Sequence, residues 1–125
     1  MSSRTEQTFQ ILTALVDGPL HGYGIIQEVE RLSEGSAHLP VGTLYGALDR
    51  LTSEGLLARD HEEAVSGRLR RYYRLTDAGA QALAGDATRL AAQAAVALER
   101  LRRRGSVARG RAADAVVSTA TDSAA

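Results

Sequence analysis

The basic and aromatic side chains between positions 68 and 73 carry the clearest chemical signal in this sequence. In the segment GRLRRYYRLT, Arg68, Arg70 and Arg71 directly precede two tyrosines. Guanidinium groups on a protruding edge can bind phosphate oxygens, although a run of charges more often forms a solvated face. Successive strand residues point to opposite sides, so we expect Tyr73 to face inward and Tyr72 outward. The segment predicts a phosphate-binding strand.

The segment PVGTLYGALDRLTSEGLL combines a helical pattern with two glycines. Leu44, Leu48 and Leu51 follow the i, i+4, i+7 spacing of one buried helical face. A glycine inside a helix costs about 1 kcal/mol relative to alanine, so Gly42 and Gly46 indicate that a bare backbone is useful there. Such a helix can approach a DNA groove closely, and its N-terminal amides can meet phosphates. Its predicted outward face holds Gly42, Gly46, Asp49 and Ser53.

The residue types do not indicate a metal site, a catalytic site or a membrane-spanning segment. The chain has no cysteine, and His21, His38 and His61 lie on separate elements without close ligand spacing, so we expect no metal site and no cofactor. No nucleophile motif or phosphate-binding loop marks an enzyme. No apolar run approaches the roughly 20 residues of a membrane span, and the N-terminus lacks a signal-peptide core. A cytoplasmic protein without membrane contact is expected.

The net charge is zero, but its distribution along the chain is uneven. Residues 1–60 hold four arginines against eight acidic residues, residues 61–76 hold four against two, and residues 77–104 hold five against three. A zero total does not exclude a nucleic-acid partner, because a local basic patch is sufficient. The three arginines at 102–104 could reach DNA, but we favour the interpretation that they are solvated and complement the C-terminal dipole of the helix.

Hydrophobic periodicity and turn residues divide the chain into three short helices, a hairpin and one long helix. This order is typical of a winged helix-turn-helix, in which the later helix of the pair lies in the DNA major groove. The predicted fold class is mainly α with a β-hairpin: a winged helix-turn-helix DNA-binding domain at 1–76 and a C-terminal dimerisation helix at 77–104. Residues 105–125 have low complexity and no apolar stripe, and we expect a disordered tail there.

The long helix carries a seam of small and apolar residues. Their spacing alternates between four and three residues, as in a coiled coil. The remaining short chain offers this seam no partner, so the sequence predicts a homodimer through this helix. The predicted dimerisation residues are Leu83, Ala87, Leu90, Ala94, Ala97 and Leu101.

Three blocks, LHGYGIIQEV, GTLYGALDRLTSEGLL and GRLRRYYRLTDAGAQAL, lie in this order over about residues 9–83. They resemble, respectively, the LHGYEI-type segment, the GTLYPxLxRLxxxGLI recognition helix and the GRPRKYYxLTxxG wing of the PadR family of transcriptional regulators. The resemblance implies a homodimeric winged-helix repressor that binds a palindromic operator in double-stranded DNA. The single C-terminal helix resembles the family's smaller subgroup.

The resemblance also assigns site residues. Thr43 and Tyr45 match recognition-helix positions that meet DNA, and the arginines of the hairpin match the wing. For Tyr45 the alternative is a half-buried aromatic residue that props the turn. Gly46 and Leu69 stand where the family usually has proline, which leaves the helix start and the wing tip less rigid. The predicted DNA-binding residues are Gly42, Thr43, Tyr45, Gly46, Arg50, Arg68, Arg70, Arg71 and Tyr72.

A second class of function remains open, namely a winged helix that binds only protein. The low charge of the recognition helix favours this class slightly, whereas the wing arginines count against it. The resemblance also allows a small-molecule effector that releases the operator, since several relatives bind aromatic compounds or drugs near the long helices. The absence of tryptophan removes the stacking platform of the drug-binding type.

Overall fold

A computed structural model describes residues 3–118 of the chain, with side chains described for residues 4–106. Within this range the helices and strands follow in the order α1 Ser3–Ala14, β1 Leu20–His21, α2 Gly22–Leu32, α3 Val41–Ser53, β2 Leu57–Val65, β3 Arg68–Leu75 and α4 Asp77–Ser118. The strands form an antiparallel sheet with β3 between β1 and β2. Three short helices followed by a hairpin confirm the winged helix-turn-helix predicted from the sequence.

The chain divides into two units, the first ending at Asp86 and the second beginning at Ala87. The core of the first unit is built by one face of each short helix. Its fully buried side chains, which lie on these helices or, for Leu15, directly after α1, are Ile11, Leu12, Leu15, Ile25, Val29, Leu44, Leu48 and Leu51. The sheet adds Leu57 and Tyr73 to this core. Val16 follows the end of α1 at Ala14 and is 56% exposed.

The hairpin of β2 and β3 has the expected tight turn. Ser66 and Gly67 connect the strands, and both have positive φ, 52° and 77°. Two residues with positive φ match the right-handed twist of the flanking strands. The pairing is interrupted once, between Arg59 and His61, where a bulge inserts Asp60 into β2. The hairpin therefore forms a protruding wing whose register is set by its turn.

A third strand, β1, was not predicted. Leu20 and His21 pair with Tyr73 and Tyr72 of β3, directly before α2 begins. The Nδ1 atom of His21 accepts a hydrogen bond from the Gly24 amide at 3.1 Å and so caps the N-terminus of α2. His21 thus caps the second helix and also ties that helix to the wing.

A compact joint links the end of α3 to the start of α4. The Thr76 hydroxyl donates to the Gly55 carbonyl at 2.6 Å and accepts from the Gly79 amide at 3.0 Å. Thr76 thus caps the N-terminus of α4. The Thr76 amide also donates to the Leu56 carbonyl at 3.2 Å. These bonds anchor both ends of the hairpin to the helical core.

Helix α4 is longer than the sequence predicted. It runs to Ser118, so residues 105–118, expected within a disordered tail, are helical; the remainder of that tail lies outside the described residues. Four of these fourteen residues are alanine, which has the highest helix propensity. The second unit consists of α4 from Ala87 onward. Among the described helices, none combines the length and apolar character needed to span a membrane.

Candidate nucleic-acid interface

The outward face of α3 has an accessible backbone. Gly42, Thr43 and Gly46 are exposed, on the side of the helix opposite its buried leucines. A Cβ atom built at Gly42 or Gly46 would have no neighbouring atom within 4 Å. Neither glycine is therefore required by packing inside the first unit, and the absence of side chains leaves the N-terminal half of α3 open to a close partner.

Tyr45 lies at the border between this face and the core. Its side chain is 48% exposed. Its hydroxyl lies only 2.7 Å from the position that a Cβ atom would take at Gly22, the first residue of α2. Glycine at that buried position makes room for the tyrosine. The ring is thus held against α2 while part of it faces solvent, which combines the two interpretations drawn from the sequence.

A groove of about 700 Å³ separates α3 from the wing. The helices contribute Tyr23, Tyr45 and Asp49 to its lining, and β3 contributes three arginines. Its full lining is His21, Gly22, Tyr23, Tyr45, Asp49, Arg68, Leu69, Arg70, Arg71 and Tyr73. The structure therefore brings the recognition-helix tyrosine and the wing arginines, predicted separately, to the same concave surface.

The wing arginines differ in their partners. Arg71 pairs with Glu62 across the hairpin, with 3.4 Å between Nε and Oε1, and Arg74 pairs with Asp60 at 3.7 Å. In contrast, Arg68 and Arg70 pair with no carboxylate among the side chains of residues 4–106. Exposed arginines without a carboxylate partner can bind phosphate without first breaking an ion pair. These two residues are the most available cations of the groove.

Arg70 contacts His21 but is not held by it. The Arg70 Nη1 atom lies 3.1 Å from His21 Nε2. Burial, followed by the nearby Arg70 guanidinium, lowers the pKa of His21, which favours the neutral imidazole. A neutral imidazole has a single acceptor nitrogen, and Nδ1 already accepts the Gly24 amide. Nε2 then carries the proton and cannot accept from Arg70, so the guanidinium can turn towards a phosphate without weakening the helix cap.

Tyr72 occupies the centre of a row of rings across the sheet. Its ring meets His21 edge-on at 5.2 Å and stacks on His61 at 4.3 Å. His61 also forms hydrogen bonds with Asp60 and Glu63, and these raise its pKa. Tyr73, the neighbour of Tyr72, is buried as expected, with 3% exposure. Tyr72 faces away from the core, but it does not line the groove, so its predicted place at the interface stays a prediction.

Arg50 does not join the other predicted site residues. Its Nη2 atom donates to the Thr8 hydroxyl of α1 at 3.0 Å, and its Nη1 atom lies 3.6 Å from Glu54. Only 22% of its side chain is exposed, and it is not among the groove residues. Packing directs this side chain to α1, where it ties the first and third helices together, and the DNA contact of Arg50 stays a prediction.

Six residues of the groove lining were missing from the predicted DNA-binding set, and Tyr23 and Asp49 are two of them. Tyr23 is 62% exposed near the start of α2, and Asp49 lies one turn beyond Gly46 on α3. Tyr23 falls outside the spacing of the buried residues Ile25 and Val29, and that was the available signal in the sequence. Among the described residues, no group of three or more histidine or acidic side chains could hold a metal ion.

The predicted dimerisation residues are distributed over both units. Leu83 packs partly against the core of the first unit. Leu90 is half-buried and Leu101 is 59% exposed. The alanines of the seam, Ala87, Ala94 and Ala97, are exposed. The seam beyond Leu83 thus offers apolar and small side chains at coiled-coil spacing on the surface of α4.

Comparisons with known proteins agree with this geometry. Residues 11–85 match the model of the transcriptional regulator PadR-like family. The transcriptional regulator Rv3488 of Mycobacterium tuberculosis is 40% identical over 83 residues, which cover 66% of this chain and 74% of that protein.

Two solved structures extend the comparison to the fold. A PadR family regulator from Eggerthella lenta has a TM-score of 0.64 at 26% identity, covering 78% of this chain and 83% of its own. Bacillus subtilis PadR, in complex with operator DNA, has a TM-score of 0.58 at 26% identity, covering 64% of this chain and 45% of its own. The likeness thus includes a protein whose structure contains bound DNA.

Proposed function

The chain belongs to the PadR-like family of transcriptional regulators, and from this premise we propose that it is a homodimeric repressor of a palindromic operator. As a member of this family it is a DNA-binding regulator and not an enzyme. The observation that carries the proposal is the groove in which Tyr45 and Asp49 of α3 face the wing arginines, next to the open backbone of α3 at Gly46. We place α3 in the major groove and the wing along the adjacent backbone.

A DNA shift assay with a labelled duplex from upstream of its own gene tests the proposal. We expect a discrete complex that resists excess unrelated duplex. Binding that unrelated duplex removes completely would argue against a specific operator. No complex at low salt would favour the alternative, a winged helix that binds only protein.

The Arg68→Ala and Arg70→Ala variants are expected to weaken binding to all duplexes by a similar factor. Each should lower the slope of log affinity against log salt by about 1, if it removes one phosphate contact. Anisotropy titrations at several salt concentrations measure this slope. Arg74→Ala is the matched control, because Arg74 pairs with Asp60 and does not line the groove. A change of base preference at one position would show instead that the wing contacts bases.

The Leu90→Asp variant is expected to raise the dissociation constant of the proposed dimer at least about tenfold, because it places an unpaired charge in the α4 seam. Sedimentation equilibrium measures the monomer–dimer balance, and circular dichroism checks that the helix persists. Ala92→Asp is the control, since it adds the same charge to an exposed position away from the seam. A dimer of unchanged strength in Leu90→Asp would place the interface elsewhere.

The proposal includes a small-molecule effector only as the resemblance implies one. Its support is the family membership of residues 11–85. Titration of aromatic compounds into the operator complex tests this part, and release of DNA at a compound concentration that leaves the fold intact would support it.

A further inference from the structure

Asp49 has an unusual place on the exposed face of α3. Its exposed residues include Gly42, Thr43, Gly46, Asp49 and Ser53. Two of these residues are glycines, and Asp49 carries the one charged side chain among them. Asp49 is also the one acidic residue among those that line the groove, which contains three arginines. A negative charge thus lies at the centre of a surface that otherwise suits DNA.

No partner among the side chains that the structure describes accounts for this carboxylate. Asp49 is exposed and forms no ion pair or hydrogen bond with the side chains described in residues 4–106. The neighbouring acid, Glu54, differs in this respect because it pairs with Arg50 at 3.6 Å. Near the phosphates of DNA, an unpaired carboxylate lowers the affinity for every sequence. It is compensated only where the DNA offers it a hydrogen-bond donor.

The donors available in the major groove are few. Cytosine presents its N4 amino group and adenine its N6 amino group, whereas guanine and thymine present acceptors at the corresponding positions. Adenine also places its N7 acceptor beside N6, and this acceptor repels a carboxylate that has no proton to donate. An ionised carboxylate therefore discriminates in favour of cytosine.

The backbone around Asp49 allows its short side chain to reach a base. Gly46 precedes it by three residues, which is almost one helical turn, so both lie on the same side of α3. With no side chain at Gly46, and nothing within 4 Å of a Cβ atom built there, the helix can lie close to the groove floor. A bulkier residue at position 46 would hold the carboxylate at a distance.

We propose that Asp49 is a specificity-determining residue that accepts a hydrogen bond from the N4 amino group of one cytosine in each operator half-site. This assignment rests on the proposed function, because it requires that α3 enter the major groove. The carboxylate strengthens binding only at the correct sequence and weakens it elsewhere. Arg68 and Arg70 provide the affinity, and Asp49 provides discrimination.

Selection from a randomised duplex library, with wild type and Asp49→Asn in parallel, tests the assignment. We expect wild type to enrich cytosine at one position of each half-site, with discrimination of about tenfold against other bases. Asp49→Asn should lose that preference, or shift it to adenine, which an amide recognises through N6 and N7. Preferences at the other positions should persist, and affinity for unrelated duplex should rise. The exposed, nearly isosteric change should leave the fold intact.

Glu54→Gln is the matched control, because it removes a negative charge from the end of the same helix but outside the groove. It should leave every base preference unchanged. If Asp49→Asn binds all duplexes more tightly without any change of preference, the carboxylate only repels phosphates and the assignment is wrong. If wild type enriches no sequence at all, the proposed function fails, and the role of Asp49 with it.

Discussion

The Gly46→Leu variant is expected to bind operator DNA at least about 30-fold more weakly than wild type while it keeps the native fold. The position is exposed, and a Cβ atom there would contact nothing in the protein within 4 Å. The new side chain therefore leaves the buried face of α3 undisturbed. In the major groove of the DNA, the bulk of the leucine would hold the backbone away from the bases and phosphates. The expected loss of binding free energy is that of one or two good contacts, about 2 kcal/mol.

The Gly46→Ala variant separates bulk from helix propensity. Alanine should stabilise the helix by up to about 1 kcal/mol in thermal denaturation, because its Cβ atom meets open space. Its smaller side chain should reduce operator affinity much less than leucine does. Anisotropy titrations and circular dichroism give the two readouts. Operator binding by Gly46→Leu as tight as that of wild type would move the DNA-binding face away from this side of α3.

The Gly79→Ala variant is expected to lower the free energy of unfolding by about 3 kcal/mol, the upper end of overpacking effects. A Cβ atom at this buried position would lie 2.1 Å from the Leu56 carbonyl oxygen and 2.8 Å from Leu75 Cδ1. The first contact is with backbone, so no side-chain rotation relieves it. Either the start of α4 or the joint after α3 must move, which strains the Thr76 cap. Chemical denaturation measures the loss.

The Gly85→Ala variant is the control within the same helix. Nothing lies within 4 Å of a Cβ atom at Gly85, so alanine should raise stability by about 0.5–1 kcal/mol through helix propensity alone. The two substitutions are chemically identical and should change the free energy of unfolding in opposite directions. Equal stability for Gly79→Ala and wild type would show that α4 does not pack against the Leu56 carbonyl as described.

The helices and the wing were determined by local features of the sequence. Helix α2 spans Gly22–Leu32 and α3 spans Val41–Ser53. Both follow from the spacing of buried residues, which depends only on the helical repeat. The hairpin follows from alternation and from a turn at Ser66 and Gly67 that needs positive φ. The outward position of Gly42 and Gly46 follows from the same periodicity, because the leucines opposite them must be buried.

Local sequence patterns predicted the structure less well where a segment does not pack against a core. The end of α4 was placed 14 residues too early, at 104 instead of Ser118. Low complexity without an apolar stripe is shared by disordered tails and by Ala-rich helices. The sequence pattern alone could not distinguish them, because it reports burial more directly than backbone conformation.

Tertiary structure alone decided which residues share the groove. Arg50 donates to Thr8, 42 residues earlier, and does not line the groove. Arg70 meets His21 across 49 residues, and strand β1 exists only because it pairs with β3. The pairing of two residues far apart in sequence depends on how the helices pack, and the periodicity of one element carries no information about that packing. The sequence determined which side of each element faces outward, and the folded chain decided which of those sides meet.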